Sequence, residues 1–123
     1  MTGSAETILL VEDAQDLGLL LRETLEDWSH RSVLAQTAAE ALEILAREPV
    51  ALMLLDHQLP DMTAPELLAA LRAQGRAIPP VVLMSAWPRE RTEADWPELV
   101  GVLRKPFDLA DLAAVVKRHL PRR

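Results

Sequence analysis

The sequence predicts an α/β fold: a doubly wound, five-stranded parallel sheet of order 2-1-3-4-5 with helices on both faces, the fourth helix short or irregular. Three observations carry this. Short apolar runs alternate with amphipathic helical patterns five times along 123 residues, the rhythm of β-α units joined by right-handed crossovers. Four of the runs are apolar on consecutive positions, as strands buried on both faces of a parallel sheet are. Those four runs also stop at polar or charged residues, namely Glu12-Asp13, Asp56, Ser85 and Lys105-Pro106.

Residues 7–11, 51–55, 81–84 and 101–103 are the consecutive runs, whereas residues 32–36 alternate, as an edge strand does. The stripe Leu17, Leu20, Leu21, Leu25 and Trp28 makes the first helix. Thr37 and Glu40 have the spacing of a capping box that opens the second, with Ala41, Leu42 and Leu45 as its core face. Thr63 and Glu66 repeat that box ahead of Leu67, Leu68 and Leu71, and the helix stops near Gly75. The fourth helix belongs in residues 86–100, but Pro88 and Pro97 bracket its middle, residues 89–96, which is mostly polar. Proline breaks a helix interior, so at most two loosely packed turns are expected there. Asp108 caps the C-terminal helix, which runs through Leu109, Leu112, Val115, Val116 and Leu120 to a halt at Pro121. No repeat, linker or low-complexity segment interrupts the series. Residues 1–123 read as one domain, with its core at about 6–121.

Composition narrows the function. Half the residues are hydrophobic and about a quarter charged, ordinary for a globular chain. A formal charge of −6 disfavours direct nucleic-acid binding, which needs a basic surface. The basic cluster Lys117-Arg118-His119 with Arg122-Arg123 reads as a helix end, where cations meet the helix dipole favourably. His30 and His119 read as solvated helix-end residues. The absence of cysteine excludes disulfides and thiolate metal sites and fits a cytoplasmic protein. No stretch approaches the roughly 20 apolar residues of a membrane span, and the N-terminal segment has no signal-peptide pattern.

In an open parallel sheet, ligands bind outside the carboxyl ends of the strands at the point where the strand order reverses. Strands one and three are neighbours there, so Glu12 and Asp13 lie beside Asp56. Three crowded carboxylates repel one another, and a hard divalent cation relieves the repulsion; Mg²⁺ suits, since it takes one or two carboxylates, keeps waters and bridges to phosphate. Asp56 is then a nucleophile toward a phosphorylated donor, Lys105 a partner for a phosphoryl oxygen, and Ser85 a hydrogen-bond donor to another. Taken singly, each residue has a bland explanation, such as a helix-end acid pair or a turn residue before Pro60. Their joint occurrence at successive strand ends favours one shared site. His57 reads as a non-ligand, because one histidine beside three carboxylates is a poor transition-metal set.

The segments Ile8-Leu-Leu-Val-Glu-Asp13, Leu54-Leu-Asp-His-Gln-Leu-Pro-Asp-Met62, Leu83-Met-Ser-Ala86 and Leu103-Arg-Lys-Pro-Phe107 resemble the receiver domain of two-component response regulators across nearly the whole chain. That resemblance implies a flavodoxin-like fold and Mg²⁺-dependent phosphotransfer from a sensor histidine kinase or histidine phosphotransfer protein onto Asp56. It implies that the chain catalyses its own phosphorylation and dephosphorylation only. Glu12, Asp13 and Asp56 match the metal-binding acids, and Gln58 the position whose main-chain carbonyl completes the cation shell. Ser85 and Lys105 match the phosphoryl-binding pair, Ala86 and Trp87 line the site, and the bond before Pro106 matches one that is usually cis. Two positions depart from the pattern. Thr63-Ala64 replace an Asp/Asn-Gly pair, and Val102 replaces the aromatic residue whose ring is thought to move inward on phosphorylation.

A haloacid-dehalogenase-type phosphatase wants a second aspartate where Gln58 stands, and a flavin-binding flavodoxin would not place Glu12-Asp13 in its phosphate loop. The remaining alternative is a non-phosphorylated pseudo-receiver acting as an interaction module, which the retention of Asp13, Asp56 and Lys105 opposes. Whether stand-alone or excised from a longer regulator, the chain offers the 86–100 segment, the fifth strand and the C-terminal helix as faces for a kinase, a phosphotransfer protein or a second copy.

Overall fold

Runs such as Ile8-Leu-Leu-Val11 cannot leave an apolar face exposed on either side, so they become central strands covered above and below. The structure of the protein is a computed structural model that describes residues 7–86 and 96–120. Its elements are β1 (Thr7–Val11), α1 (Gln15–Asp27), β2 (Arg31–Ala35), α2 (Ala38–Arg47), β3 (Leu52–Asp56), α3 (Ala64–Ala73), β4 (Val81–Ser85), β5 (Leu99–Arg104) and α4 (Leu109–His119). The strands form one parallel sheet in the doubly wound order β2-β1-β3-β4-β5. Every residue of β1, β3 and β4 is buried, and the partly exposed strands β2 and β5 are the edges.

Alternation of side chains divides the core in two. Leu9, Val11, Met53, Leu55, Val81 and Leu83 face α2 and α3. Ile8, Leu10, Leu52, Leu54, Val82 and Met84 face α1 and α4. Helix ends follow their local chemistry. At α3 the box is complete: Thr63 Oγ1 accepts from the Glu66 amide and Glu66 Oε1 accepts from the Thr63 amide. Gly75, at φ +69°, ends that helix in the left-handed conformation that glycine adopts without penalty. The α4 box is likewise closed, between Asp108 and Asp111. At α2 only half the expected box forms, because Glu40 Oε1 accepts from Gln36 N–H and not from Thr37 N–H.

Several expectations need correcting. Leu20 is 52% exposed and lies outside the α1 stripe; Gly18 is buried instead, because Leu34 packs so close that a Cβ there would meet its Cδ1 at 2.9 Å. On α2 the fully packed line is Ala38, Ala41 and Ile44, with Leu42 and Leu45 at its margins. His30 is 7% exposed at the entrance to β2, and His119 buries Nε2 over Gly101, so neither is a solvated helix end. The short fourth helix expected in residues 86–100 falls mostly on residues 87–95, outside the described residues. The end of that stretch is not loosely packed. Trp96 joins the core on the α2–α3 side, its carbonyl accepts from Leu99 N–H, and Glu98 pairs with Arg72 while its carbonyl accepts from Val81 N–H. These contacts draw the chain into the sheet early, which is why β5 begins at Leu99 and not at Gly101.

Trp96→Ala should therefore destabilise the protein by about 3–5 kcal/mol, the range for removing a large aromatic side chain from a core. Urea denaturation measures this; a loss below about 1 kcal/mol, the level of an ordinary substitution, would show that the indole is not a core element.

Candidate functional site

Parallel register brings the polar strand ends together. Val11 pairs with Leu55, Asp56 with Met84, and Ser85 with Arg104. Sheet-like hydrogen bonds continue one residue beyond the strands: Glu12 N–H to Ala35 O at 2.9 Å, His57 N–H to Met84 O at 3.0 Å and Lys105 N–H to Ser85 O at 2.9 Å. The backbones carrying Glu12, Asp56, Ser85 and Lys105 are thus fixed by the sheet itself. The Lys105–Pro106 peptide bond is cis.

Carboxylate oxygens of Glu12, Asp13 and Asp56 lie within 4.8 Å of one another. Glu12 is 1% exposed, Asp56 is also buried, and Asp13 faces solvent. Lys105 reaches across from β5 so that Nζ stands 2.9 Å from Glu12 Oε1 and 3.5 Å from Asp56 Oδ1. Glu12 Oε2 accepts from Ala14 N–H at 3.0 Å, which fixes the carboxylate against the approach to α1. Ser85 is buried at the end of β4, and Ala86 is exposed just beyond it. Trp87 lies outside the described residues.

One ammonium does not balance three carboxylates. Burial, and after it the charge of Glu12, push the Asp56 carboxyl up to about 6, against the opposing pull of Lys105 and a hydrogen bond from the Gln58 amide. Burial lowers the Lys105 ammonium, but its hydrogen bond to Glu12 and the charges of Asp56 and Glu12 outweigh that and raise it overall. The donor set fits a hard divalent cation: all oxygen, two anionic groups in excess of the lysine, and an open side at Asp13 where bound waters can remain. His57 is half-buried, its Nδ1 is enclosed, and burial lowers the pKa of its imidazolium, so it stays neutral near pH 7.

Gln58 pairs with Thr63 in a short antiparallel bridge that closes the loop after Asp56. At the tip of this loop Asp61 makes contacts that the sequence did not signal, because its partners are 22 and 23 residues away. Ala38 N–H donates to Asp61 Oδ1 at 2.9 Å and Ala39 N–H to Oδ2 at 3.0 Å.

A family model described as the response regulator receiver domain matches residues 8–117. Sporulation initiation phosphotransferase F of Bacillus subtilis is 30% identical over 118 residues, covering 94% of each chain. Response regulator protein FleR of Pseudomonas aeruginosa is 35% identical over 117 residues, 94% of this chain but 24% of that longer protein. Among solved structures, the response regulator TrrA of Thermotoga maritima in complex with Mg²⁺-BeF superposes with a TM-score of 0.79, covering 94% of this chain and 99% of that one at 23% identity. A likeness of that degree speaks to the fold.

The raised Asp56 pKa acts on stability with a definite sign. In the folded, metal-free protein the group binds its proton more tightly than in the unfolded chain, so ionising it costs stability. That cost is fully present above about pH 6 and fades as pH falls from there through the ordinary value of 3.8. In EDTA at pH 7.5, Asp56→Asn should be more stable than wild type by about 2–3 kcal/mol, with the gap closing toward pH 4. Urea denaturation across that range checks it; a gap independent of pH would mean that the carboxyl is not under strain.

Proposed function

Since the chain belongs to the receiver domains of two-component response regulators, we propose that it accepts a phosphoryl group on Asp56 from a sensor histidine kinase or histidine phosphotransfer protein. The observation that carries this reading is the placement of a buried, strand-end carboxylate between two acids and one lysine at the carboxyl edge of the sheet. Glu12 and Asp13, with Asp56 and the Gln58 main-chain carbonyl, are the groups proposed to hold Mg²⁺. The Mg²⁺-BeF complex of the Thermotoga maritima regulator, a fold relative, supports that choice of metal. When bound, the cation supplies positive charge to the phosphoryl oxygens and to the carboxylates around them.

The chain's own groups divide the remaining work. Ionised Asp56 attacks phosphorus, the new O–P bond forming as the donor's P–N bond breaks, and the departing imidazole takes up a proton. The sheet fixes the Asp56 backbone through the His57–Met84 hydrogen bond, so little freedom is lost on approach. Lys105 already stands 3.5 Å from Asp56 and is placed to turn its ammonium toward a phosphoryl oxygen. Ser85, at the end of the neighbouring strand, offers a hydroxyl to another. The chain acts on itself and turns over no separate substrate. Among the described residues no helix is long and apolar enough to cross a membrane, and a cytoplasmic location fits the cysteine-free composition. A net charge of −6 argues against direct nucleic-acid binding.

Val102 shapes the output. It lies on β5 beside Leu83 and packs on the α2–α3 side. A valine has no ring to swing and no polar tip, and a ligand shifts an equilibrium only by its differential affinity for two states. Phosphorylation is therefore read as ordering the loops after Met84 and Asp56, with little repacking around Val102. A hollow of about 510 Å³ between β5 and α4 is lined by Val102, Arg104, Pro106, Asp111, Ala114 and Val115, and Val100 and Leu109 are exposed on the same two elements; this face is assigned to a kinase, a phosphotransfer protein or a second copy.

Three measurements test the reading. Acetyl phosphate with Mg²⁺ should add the mass of one phosphoryl group to wild type and nothing to Asp56→Ala; in Asp13→Ala, Mg²⁺ affinity should fall by at least about tenfold. A full adduct on Asp56→Ala would refute the acceptor, and unchanged Mg²⁺ affinity in Asp13→Ala would refute the metal placement. Amide hydrogen exchange with and without a phosphoryl mimic should show new protection after Met84 and Asp56. Protection confined to β5 and α4 would show that a relay operates without an aromatic residue at position 102.

A further inference from the structure

The first turn of α2 has an acceptor for every amide, and two of the acceptors come from elsewhere in the chain. Glu40 N–H donates to Thr37 Oγ1 at 3.1 Å and Ala41 N–H to Thr37 O at 3.1 Å. Ala38 and Ala39 donate instead to the two carboxylate oxygens of Asp61. A carboxylate at a helix N-terminus gains from both the unpaired amides and the helix dipole, and hydrogen bonds to an ionised acceptor are the stronger kind. Those amides hold the Asp61 carboxyl below its ordinary range, so it is ionised at neutral pH.

The same loop carries Gln58. Its stem is fixed on one side by His57 N–H to Met84 O at 3.0 Å and on the other by Ala64 N–H to His57 O at 2.9 Å. Across the loop, Leu59 N–H donates to Met62 O at 3.2 Å, and Gln58 bridges Thr63. These bonds close the loop on itself but do not fix its tip to the rest of the protein. Asp61 supplies such an anchor, from the tip to α2, the helix beside α3 on the same face of the sheet. We propose that Asp61 is a positioning residue of the cation and phosphoryl site: its double hydrogen bond to α2 holds the 57–63 loop, and with it the Gln58 main chain, in place beside Asp56. A site held to within a fraction of an ångström needs such a support behind it. The inference rests on the function proposed above, because it gives the Gln58 main chain a task at that site.

Two variants separate this clamp from helix capping as such. Asp61→Ala cuts the loop from α2, whereas Thr37→Ala removes a cap from the same helix and leaves the loop attached. By isothermal titration calorimetry, Asp61→Ala should raise the Mg²⁺ dissociation constant about tenfold, the lower end of what losing a support behind a metal ligand costs. Thr37→Ala should leave that constant at the wild-type value, and Asp61→Asn, which keeps one acceptor oxygen, should fall between. In metal-free protein, amide exchange should quicken at Leu59 and Ala64 as well as at Ala38 and Ala39 in Asp61→Ala, but only within α2 in Thr37→Ala. Wild-type Mg²⁺ affinity in Asp61→Ala, or equal losses in the two alanine variants, would overturn the clamp. Absence of Mg²⁺ binding in the wild type would overturn it together with the function it rests on, and the metal-free exchange pattern tells the two failures apart.

Discussion

Lys105 crosses from the edge strand to a glutamate on the far side of β3 and β4, and the site is built around that reach. A parallel sheet of this order delivers Glu12, Asp13 and Asp56 to one edge whatever their charge, because the register of buried apolar side chains decides where the strands end. Repulsion among the acids is the penalty of that delivery. The ammonium at 2.9 Å from Glu12 and 3.5 Å from Asp56 relieves part of it. The part left over adds to the larger effect of burial in pushing the Asp56 carboxyl up, and the excess of negative charge suits the site to a cation.

The division of labour among the acids follows from their burial. Glu12 is enclosed, and each of its oxygens already carries one hydrogen bond, to Lys105 and to Ala14 N–H. It behaves as much like a piece of scaffold as like a ligand. Asp13, one residue later, has left the sheet and faces solvent, so it forms the open side of the cluster. Asp56 lies between these extremes, buried enough that burial raises its pKa and yet adjoining the open side of the cluster.

The fold and the core of the site were legible in the sequence because both rest on local pattern. Consecutive apolar residues identify central strands, and the residue that ends each run sits at the carboxyl edge once the strands are parallel. Thr63 announced its cap through Glu66, three residues on, and Asp108 announced its own by residue type at a helix start. What escaped depended on contacts distant in sequence. Nothing near Asp61 in the chain indicates that its partners are the amides of α2. The burial of Gly18 reflects Leu34 on a different element, and that contact displaces Leu20 from the stripe. Trp96 followed a polar stretch and read as its continuation, yet an indole buries more apolar surface than its polar neighbours can oppose.

The all-buried central strands have a consequence for how such a chain can change over evolutionary time. They partition the interior into two compartments that have no described buried side chain in common, one beneath α2 and α3, the other beneath α1 and α4. Substitutions in separate compartments have no shared neighbour through which to couple, so their effects should simply add. Each face can drift toward a different partner without repacking the other. The carboxyl edge is the exception, because residues from both sides of the sheet converge there, and it is the one region where change on either face must be reconciled with the other.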